Sequence, residues 1–543
     1  MRRPALATAT VTLLSLVAFT PASSALPSRT EDSARTAVQR LAVKNLKWEP
    51  CYERKVKAAY QRIECTTLKA PLDWKKPNGK KINLHISRLK ARKKPRGVVF
   101  TNPGGPGDTG WALPLAFVDA GRNRLLDSMD VIGIDVRGTG YSTQASCKKV
   151  YGPSLDPRNR SAGNVKAMLA WSEKFAKACQ NSGNKRLPSK YVTTAQTVYD
   201  LEWIRRNLKT SDNRKVNKIH WIGYSAGTWL GAYYARKWPK HTGRFVLDSV
   251  VDFTADWEAT WDAQPKAFQK RFETFARWAA HHDGTYGLGT SQKAVIASYE
   301  RIRAAVAKAG TVEYVDYDGE RWDFSPPGMD REILASLYSK YSFEYLAGFL
   351  ADLSEAANAG DARMARRAQD PYAGQAPTFE NIGCNDTPTT RTPEEIAAYS
   401  GRTGPKYPLL GYARIFDACV HWKRSSGQLK LPRPTGRGLP KVLMIHSVGD
   451  PSTWYGGALR AHKAYRNSRL VTVRNEGDHA LYAGDNPCVN AIVEKYLIDG
   501  VYPKKDLSCS GRPMPTPLRT ARERERPVNP VLRAAELAEA GRG

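Results

Sequence analysis

Beyond residue 25 the sequence has no apolar run approaching the ~20 residues that a membrane-spanning helix needs, so no integral membrane segment is expected in that part. It has no internal repeat, which excludes a solenoid or propeller. Its 34 Pro and 42 Gly follow no collagen-like period. Neither G-x-x-x-x-G-K-[ST] nor G-x-G-x-x-G opening a helix occurs, which argues against a nucleotide-phosphate loop. The eight cysteines lack the tight repeated Cys or His spacing of a zinc site. Neither a metal nor an organic cofactor is therefore implied. Acid is scarce, with 52 Asp and Glu against 84 Lys and Arg and a net charge of +32. The excess is dispersed and comes without zinc-finger spacing, a recognition-helix pattern or an aromatic RNP-type motif, so nucleic acid is not an expected partner. A diffuse positive surface favours solubility and weak attraction to anionic envelope polymers.

What is present is globular. The 543 residues are 41% apolar, with 14 Trp, 25 Tyr and 14 Phe, enough for at least one large core and too rich for a disordered chain. Residues 1–25 combine a basic start at Arg2 and Arg3, an uncharged stretch from Ala5 to Thr20, and the small residues Pro21-Ala22-Ser23-Ser24-Ala25. That is the layout of a signal peptide cleaved after Ala25, and the expected location is outside the cell. All eight cysteines follow that point, so four disulfides are expected. Sequential pairing, Cys51 with Cys65, Cys147 with Cys179, Cys384 with Cys419 and Cys488 with Cys509, closes the shortest loops.

The rest divides by pattern. Residues 26–45 form a polar leader or propeptide. From residue 80 short apolar runs at 82–86, 98–101, 131–135, 219–223, 245–248, 442–446 and 470–473 alternate with helical stretches, the pattern of a mostly parallel sheet covered by helices. Residues 46–250 and 436–510 are thus two parts of one α/β core. Between them, residues 251–435 lose that rhythm and read as an inserted helical cap. Trp257, Trp261, Phe268, Phe272 and Phe275 share one helix face, which Pro265 should kink or divide. Ile333, Leu337, Tyr338, Tyr341, Tyr345 and Phe349 suggest a second helix, and 292–308 a third. These aromatic stripes favour packing over a substrate groove. Residues 511–543, rich in Arg, Pro, Ala and Glu, read as a mobile basic tail with a short helix near its end.

The chemistry concentrates around Gly223-Tyr224-Ser225-Ala226-Gly227, a G-x-S-x-G motif at a strand end before a helical run. In that context it forms a strained turn that presents Ser225 as a nucleophile, with Gly223 and Gly227 leaving room. Upstream, the run at 98–101 leads into Asn102-Pro103-Gly104-Gly105-Pro106-Gly107. An acyl-transfer site needs two N–H donors for the oxyanion, here expected from Gly105 and Ala226. Ser225 needs a base and the base an acid. His479 lies just beyond the last strand run, whereas His446 and His220 lie inside strands and read as structural. Asp450 follows the penultimate run and gives the chain order Ser225, Asp450, His479; Asp248 is its rival and Asp478 an outsider. Asp135 reads as loop-shaping.

Together, Asn102 to Gly107, Asp135-Val136-Arg137-Gly138-Thr139-Gly140-Tyr141-Ser142, the serine elbow, Asp450-Pro451 and His479 resemble the exported tripeptidyl aminopeptidases and prolyl-aminopeptidase-like serine hydrolases of actinobacteria. The resemblance spans roughly Trp48 to Cys509. It implies an α/β-hydrolase core with a cap, and release of short peptides from substrates with a free N-terminus. The chain departs from the family in having Ala226 after the serine and Ser452-Thr453-Trp454 after Asp450-Pro451. An aminopeptidase also needs acid for the substrate ammonium, for which Glu344, Glu380 and Asp386 are available. An esterase or amidase could use the same triad.

Overall fold

The computed structural model describes residues 29–43, 45–52, 57–147, 155–181, 186–315, 321–358, 377–517 and 529–540. The expected signal peptide at 1–25 lies outside the described residues. Among the described residues twelve strands are formed: β1 (Glu49–Pro50), β2 (Ile63–Pro71), β3 (Lys81–Leu89), β4 (Gly97–Asn102), β5 (Met129–Ile134), β6 (Ile219–Tyr224), β7 (Thr242–Asp248), β8 (Val312–Val315), β9 (Arg321–Phe324), β10 (Val442–Ser447), β11 (Ser468–Arg474) and β12 (Leu507–Ser510). Ten build one sheet in the order β1-β2-β3-β5-β4-β6-β7-β10-β11-β12, with β8 and β9 pairing separately in the cap. From β5 to β12 all neighbours are parallel, while β1, β2 and β3 join antiparallel.

The central strands are near-continuous apolar runs because both of their faces are covered. Phe100, Trp221, Phe245 and Met444 enter the core on one face, and Val99, Ile222, Val246, Leu443 and Ile445 that on the other. Every strand run read from the sequence falls inside a strand of this sheet, except that the run at 131–135 passes the end of β5 by one residue, Asp135. Strands β1, β2 and β12 were not anticipated: β2 alternates weakly, with half-exposed residues from Glu64 to Thr66, and the others are short.

The cap has its own core, built from Phe268, Phe272, Phe275, Tyr299, Ile333 and Phe349. Two expectations need correcting there. Pro265 does not divide its helix, which runs unbroken from Trp257 to His281; burial of that aromatic face outweighs one lost backbone hydrogen bond. The periodic run from Ile333 to Phe349 is not one helix but Pro326–Ser336 and Phe343–Asn358, separated by a turn at Lys340–Ser342. The third helix spans Gln292–Ala309.

The four disulfides pair sequentially, as loop length suggested. Within the leader, Arg29–Arg40 is a helix that buries Ala34 and Val38 and accepts a hydrogen bond from Arg206 at Leu41 O, 3.2 Å away. The expectation of a mobile tail is revised where the tail is described. Pro530–Ala540 is a helix whose Ala534, Leu537 and Ala538 are buried in the main core, since its small residues recur at helical spacing.

Below the sheet crest, Arg137 and Asp200 form a buried pair at 2.6 Å, 0% and 2% exposed. The same guanidinium donates to Leu72 O and Tyr191 O at 2.9 and 3.1 Å. Removing one partner of such a pair costs about 3–5 kcal/mol. Arg137→Met is accordingly expected to lower the urea midpoint of unfolding by that equivalent, and an unchanged midpoint would contradict the assignment.

Candidate active site

The site begins as backbone geometry. Tyr224 ends β6 and Ala226 begins the helix Ala226–Lys237, leaving Ser225 between them at φ 53° and ψ −127°. A side-chain-bearing residue at positive φ is strained by about 1–3 kcal/mol and persists only where its surroundings enforce it. Here Ser225 N–H donates to Asp248 O at 3.0 Å and Ser225 O accepts from Thr228 Oγ1 at 2.7 Å. A Cβ at Gly223 would lie 2.5 Å from Gly227 O, and one at Gly227 2.7 Å from Asn102 O. Both positions therefore require glycine.

The glycine loop after β4 is pressed onto this elbow. Gly104 has φ 111°, and a Cβ there would stand 2.7 Å from Tyr224 O, 2.8 Å from Ser225 Cβ and 3.0 Å from Ala226 N. Asp135 holds the loop, accepting from Thr109 Oγ1 at 2.7 Å, Gly110 N at 2.9 Å and Tyr141 N at 2.9 Å. Its expected loop-shaping role thus has a geometric basis.

The loops after β10 and β11 bring Asp450 and His479 together. His479 Nδ1 lies 2.8 Å from Asp450 Oδ2, with both side chains buried. The other acceptor sites of Asp450 take Ser452 N at 2.9 Å, Thr453 N at 2.8 Å and Thr453 Oγ1 at 3.0 Å. Burial alone would raise this carboxyl, but His479, its hydrogen bond, His446 and the Thr453 N–H hold it down at about 2. The rival Asp248 instead accepts from Leu481 N and Tyr482 N at 3.0 and 2.6 Å, so it shapes the turn beyond His479. Burial raises it to about 7. Asp478 pairs with Arg271 and accepts from Lys340 N at 2.7 Å. His446 and His220 each accept a backbone N–H, from Val250 at 2.9 Å and Arg244 at 3.0 Å, as strand-bound structural histidines would.

Ser225 and His479 open into one cavity of about 510 Å³, shared with Gly105, Asp108, Thr139, Tyr338, Thr378 and residues of the C-terminal helix. A second cavity of about 550 Å³ is also lined by Gly105 and Tyr338 and continues to Trp261, Phe268, Phe379, Glu380 and Asp417. The cap aromatics thus pack and line: Trp261 and Phe268 are buried in clusters and also face this cavity. Of the three acids available for an ammonium, Glu380 lines the second of these cavities, whereas Asp386, which accepts Thr194 N at 2.9 Å, and Glu344 line neither. Glu380, Cys384 and Cys419 come within 4.8 Å of one another, but both cysteines belong to one disulfide, which leaves a single ligand and no metal set.

Three neighbours of the site were not anticipated. Tyr338 accepts His479 N–H at its carbonyl, 2.9 Å away, and meets the imidazole edge-on at 5.2 Å. Asp108 was passed over inside the glycine loop. Asn529 donates from Nδ2 to His479 O while its Oδ1 caps Val531 N at 2.9 Å. The Asn529-Pro530 pair is a helix-start signal that could have drawn attention to it.

Comparison with known proteins agrees with this geometry. Residues 97–336 match the family model described as alpha/beta hydrolase fold, and 407–509 the one described as TAP-like protein. The chain is 30% identical over 509 residues to a tripeptidyl aminopeptidase of Streptomyces lividans, covering 89% of this chain and 90% of that one. The chain belongs to the tripeptidyl-aminopeptidase-like α/β hydrolases. More distant relatives are the serine protease Hip1 of Mycobacterium tuberculosis, 24% identical over 88% of this chain and 93% of that one, and a carboxylesterase B of the same organism, 25% identical over 85% and 89%. Within this family the parallel strands of the α/β-hydrolase core present their C-terminal ends to the site.

Two substitutions test the geometry with a short acyl p-nitrophenyl ester. Asp450→Asn is expected to lower kcat by about 10⁴-fold through the wrong His479 tautomer, and Asp248→Asn far less; the reverse order would move the acid to Asp248. Because Asp450 is depressed in the folded state, its contribution is present above the unfolded carboxyl pKa and lost as pH falls through about 2. That is about 2 kcal/mol, so Asp450→Asn should unfold less steeply between pH 4 and 2.

Proposed function

We propose that this chain is an exported serine peptidase of aminopeptidase type, releasing short peptides of tripeptidyl length from free N-termini. The observation that carries the reading is one continuous lining: Ser225 and His479 share a cavity whose Gly105 and Tyr338 also line a second, and Glu380 stands in that second cavity with no hydrogen-bonded cation among the described residues. In that second cavity Asp330 is paired with Arg303 at 2.9 Å and Asp417 with Arg414 at 2.9 Å. A substrate ammonium would complete Glu380, with its acyl residues lying along Trp261 and Phe268.

In this reading Ser225 Oγ attacks the scissile carbonyl as His479 Nε2 takes its proton. Asp450 holds the Nδ1–H tautomer and stabilises the imidazolium. The N–H groups of Gly105 and Ala226 receive the oxyanion. His479 then passes the proton to the leaving amine, and water cleaves the acyl-Ser225 ester with His479 as base. No metal or organic cofactor enters. The signal layout of residues 1–25 and four disulfides support export, and the net charge of +32 supports weak binding to anionic envelope polymers. The carboxylesterase-named relative favours a second reading, an esterase using the same residues.

Tripeptide arylamides with free and acetylated N-termini, beside short acyl esters, separate the two. Cleavage of free-amine but not acetylated peptides, lost in Ser225→Ala, is expected alongside any ester turnover; turnover of esters alone would establish the esterase. Glu380→Gln is expected to raise KM for free-amine peptides about 10–100-fold, the worth of a hydrogen bond to a charged group, while leaving ester KM within a few-fold. Burial first, and Asp417 second, raise Glu380 to about 8 against the pull of Arg414. KM for these peptides should therefore fall as pH rises toward 8, and Glu380→Gln should flatten that fall.

A further inference from the structure

Asp108 is the one acid among the described residues lining the cavity of Ser225 and His479, and no Lys or Arg lines that cavity. This is unusual in a chain carrying 84 Lys and Arg. Its backbone N–H is fixed to Gly104 O at 3.1 Å, inside the loop that presses on the serine elbow. Its carboxylate lies close to Gly105: a Cβ at that glycine would be 2.8 Å from Asp108 Oδ1. Among the described residues nothing donates a hydrogen bond to the carboxylate and no cation pairs with it, in contrast to Asp135, Asp450 and Asp478 around it. Enclosure raises it to about 6, which leaves it ionised at neutral pH.

A half-buried carboxylate without a counter-charge carries part of the desolvation cost of a buried one. Beside Gly105 it has a second consequence. Negative charge at Asp108 opposes the oxyanion that would form at the Gly105 N–H, unless a cation lies between them. The described residues supply none, so the complement is placed on the substrate. Asp108 lines the cavity of Ser225 and His479 and not the second one; with the acyl residues and their ammonium placed in the second cavity, the leaving group is placed on the side of Asp108.

We infer that Asp108 is a specificity-determining residue that receives a positively charged side chain, Lys or Arg, on the residue following the scissile bond. The inference rests on the peptidase reading for its choice of side, and a cation there would be bound more tightly as the oxyanion develops. Selectivity should then appear in kcat as well as in KM.

The experiment reads ratios within each enzyme. Free-amine peptides Ala-Ala-Ala-Xaa-Ala, with Xaa as Lys, Arg, norleucine or Glu, are cleaved and kcat/KM is measured by chromatography. In parallel, acetylcholine is compared with 3,3-dimethylbutyl acetate, a leaving alcohol of similar shape without charge. The wild-type enzyme is expected to favour Lys over norleucine by about tenfold or more, as a charge-assisted contact allows, and acetylcholine over its neutral counterpart in the same sense. In Asp108→Asn and in the smaller Asp108→Ser both ratios should fall to about 1, and Asp108→Glu should restore part of the preference. Wild-type ratios near 1, ratios that survive both substitutions, a preference governed by the residue before the scissile bond, or no turnover of either pair would each overturn the inference. Loss of all peptide cleavage with the acetylcholine preference intact would instead sink the peptidase reading and leave Asp108 in its role.

Discussion

A single serine at positive φ sets the terms for the rest of the molecule. Ser225 can stand at φ 53° only because Asp248 O and Thr228 hold its peptide groups and because nothing bulky approaches. That requirement reaches across three strands. Gly223 and Gly227 must be bare for the turn to close, and Gly104 must be bare because the next loop lies against Tyr224 O and Ser225 Cβ. The strain is local, while the structure that sustains it is the parallel sheet itself, whose register sets Asn102 beside Gly223 and Tyr224 beside Asp248.

The second organising feature is charge buried behind the base. Arg271 from the long cap helix meets Asp478, and Lys340, 1% exposed, meets Glu476; both acids belong to the loop that carries His479. Glu476 Oε1 in turn accepts Gly477 N at 2.9 Å. Tyr338, one turn earlier in the cap, holds His479 N–H. Cap and base loop are therefore tied by two buried ion pairs and a backbone hydrogen bond, and the break in the helix pattern between Ser336 and Phe343 is what allows it: a continuous helix would carry Tyr338 and Lys340 on a regular spiral instead of turning both toward residues 476–479.

How much of this was legible follows from the range of each interaction. The strands β3 to β7, β10 and β11 announced themselves because burial on both faces leaves a continuous apolar run, and the elbow did so because its steric needs are met by neighbours in sequence. Chain order favoured Asp450 over Asp248 as the proposed acid. The role of Glu380 was not separable from those of Glu344 and Asp386, since nothing local distinguishes an acid that lines a cavity from one tied to a helix start. Asp108 was invisible for the same reason: its lack of a partner is a statement about every other residue nearby. The C-terminal helix read as a mobile tail because Ala534 and Ala538 are weak apolar signals until a surface is there to receive them.

The sequence by itself supplied the candidate chemistry: residues proposed as nucleophile, base and acid beside a glycine loop, in the chain order expected of an α/β hydrolase. It did so because strand–turn–helix geometry and glycine sterics act over a few residues. Tertiary structure decided the surroundings of that candidate site: which described acids stand without a counter-charge, where the cap aromatics leave space, and that the C-terminal helix helps to line the cavity of Ser225. Those properties arise from contacts between residues hundreds of positions apart, and no short-range pattern encodes them.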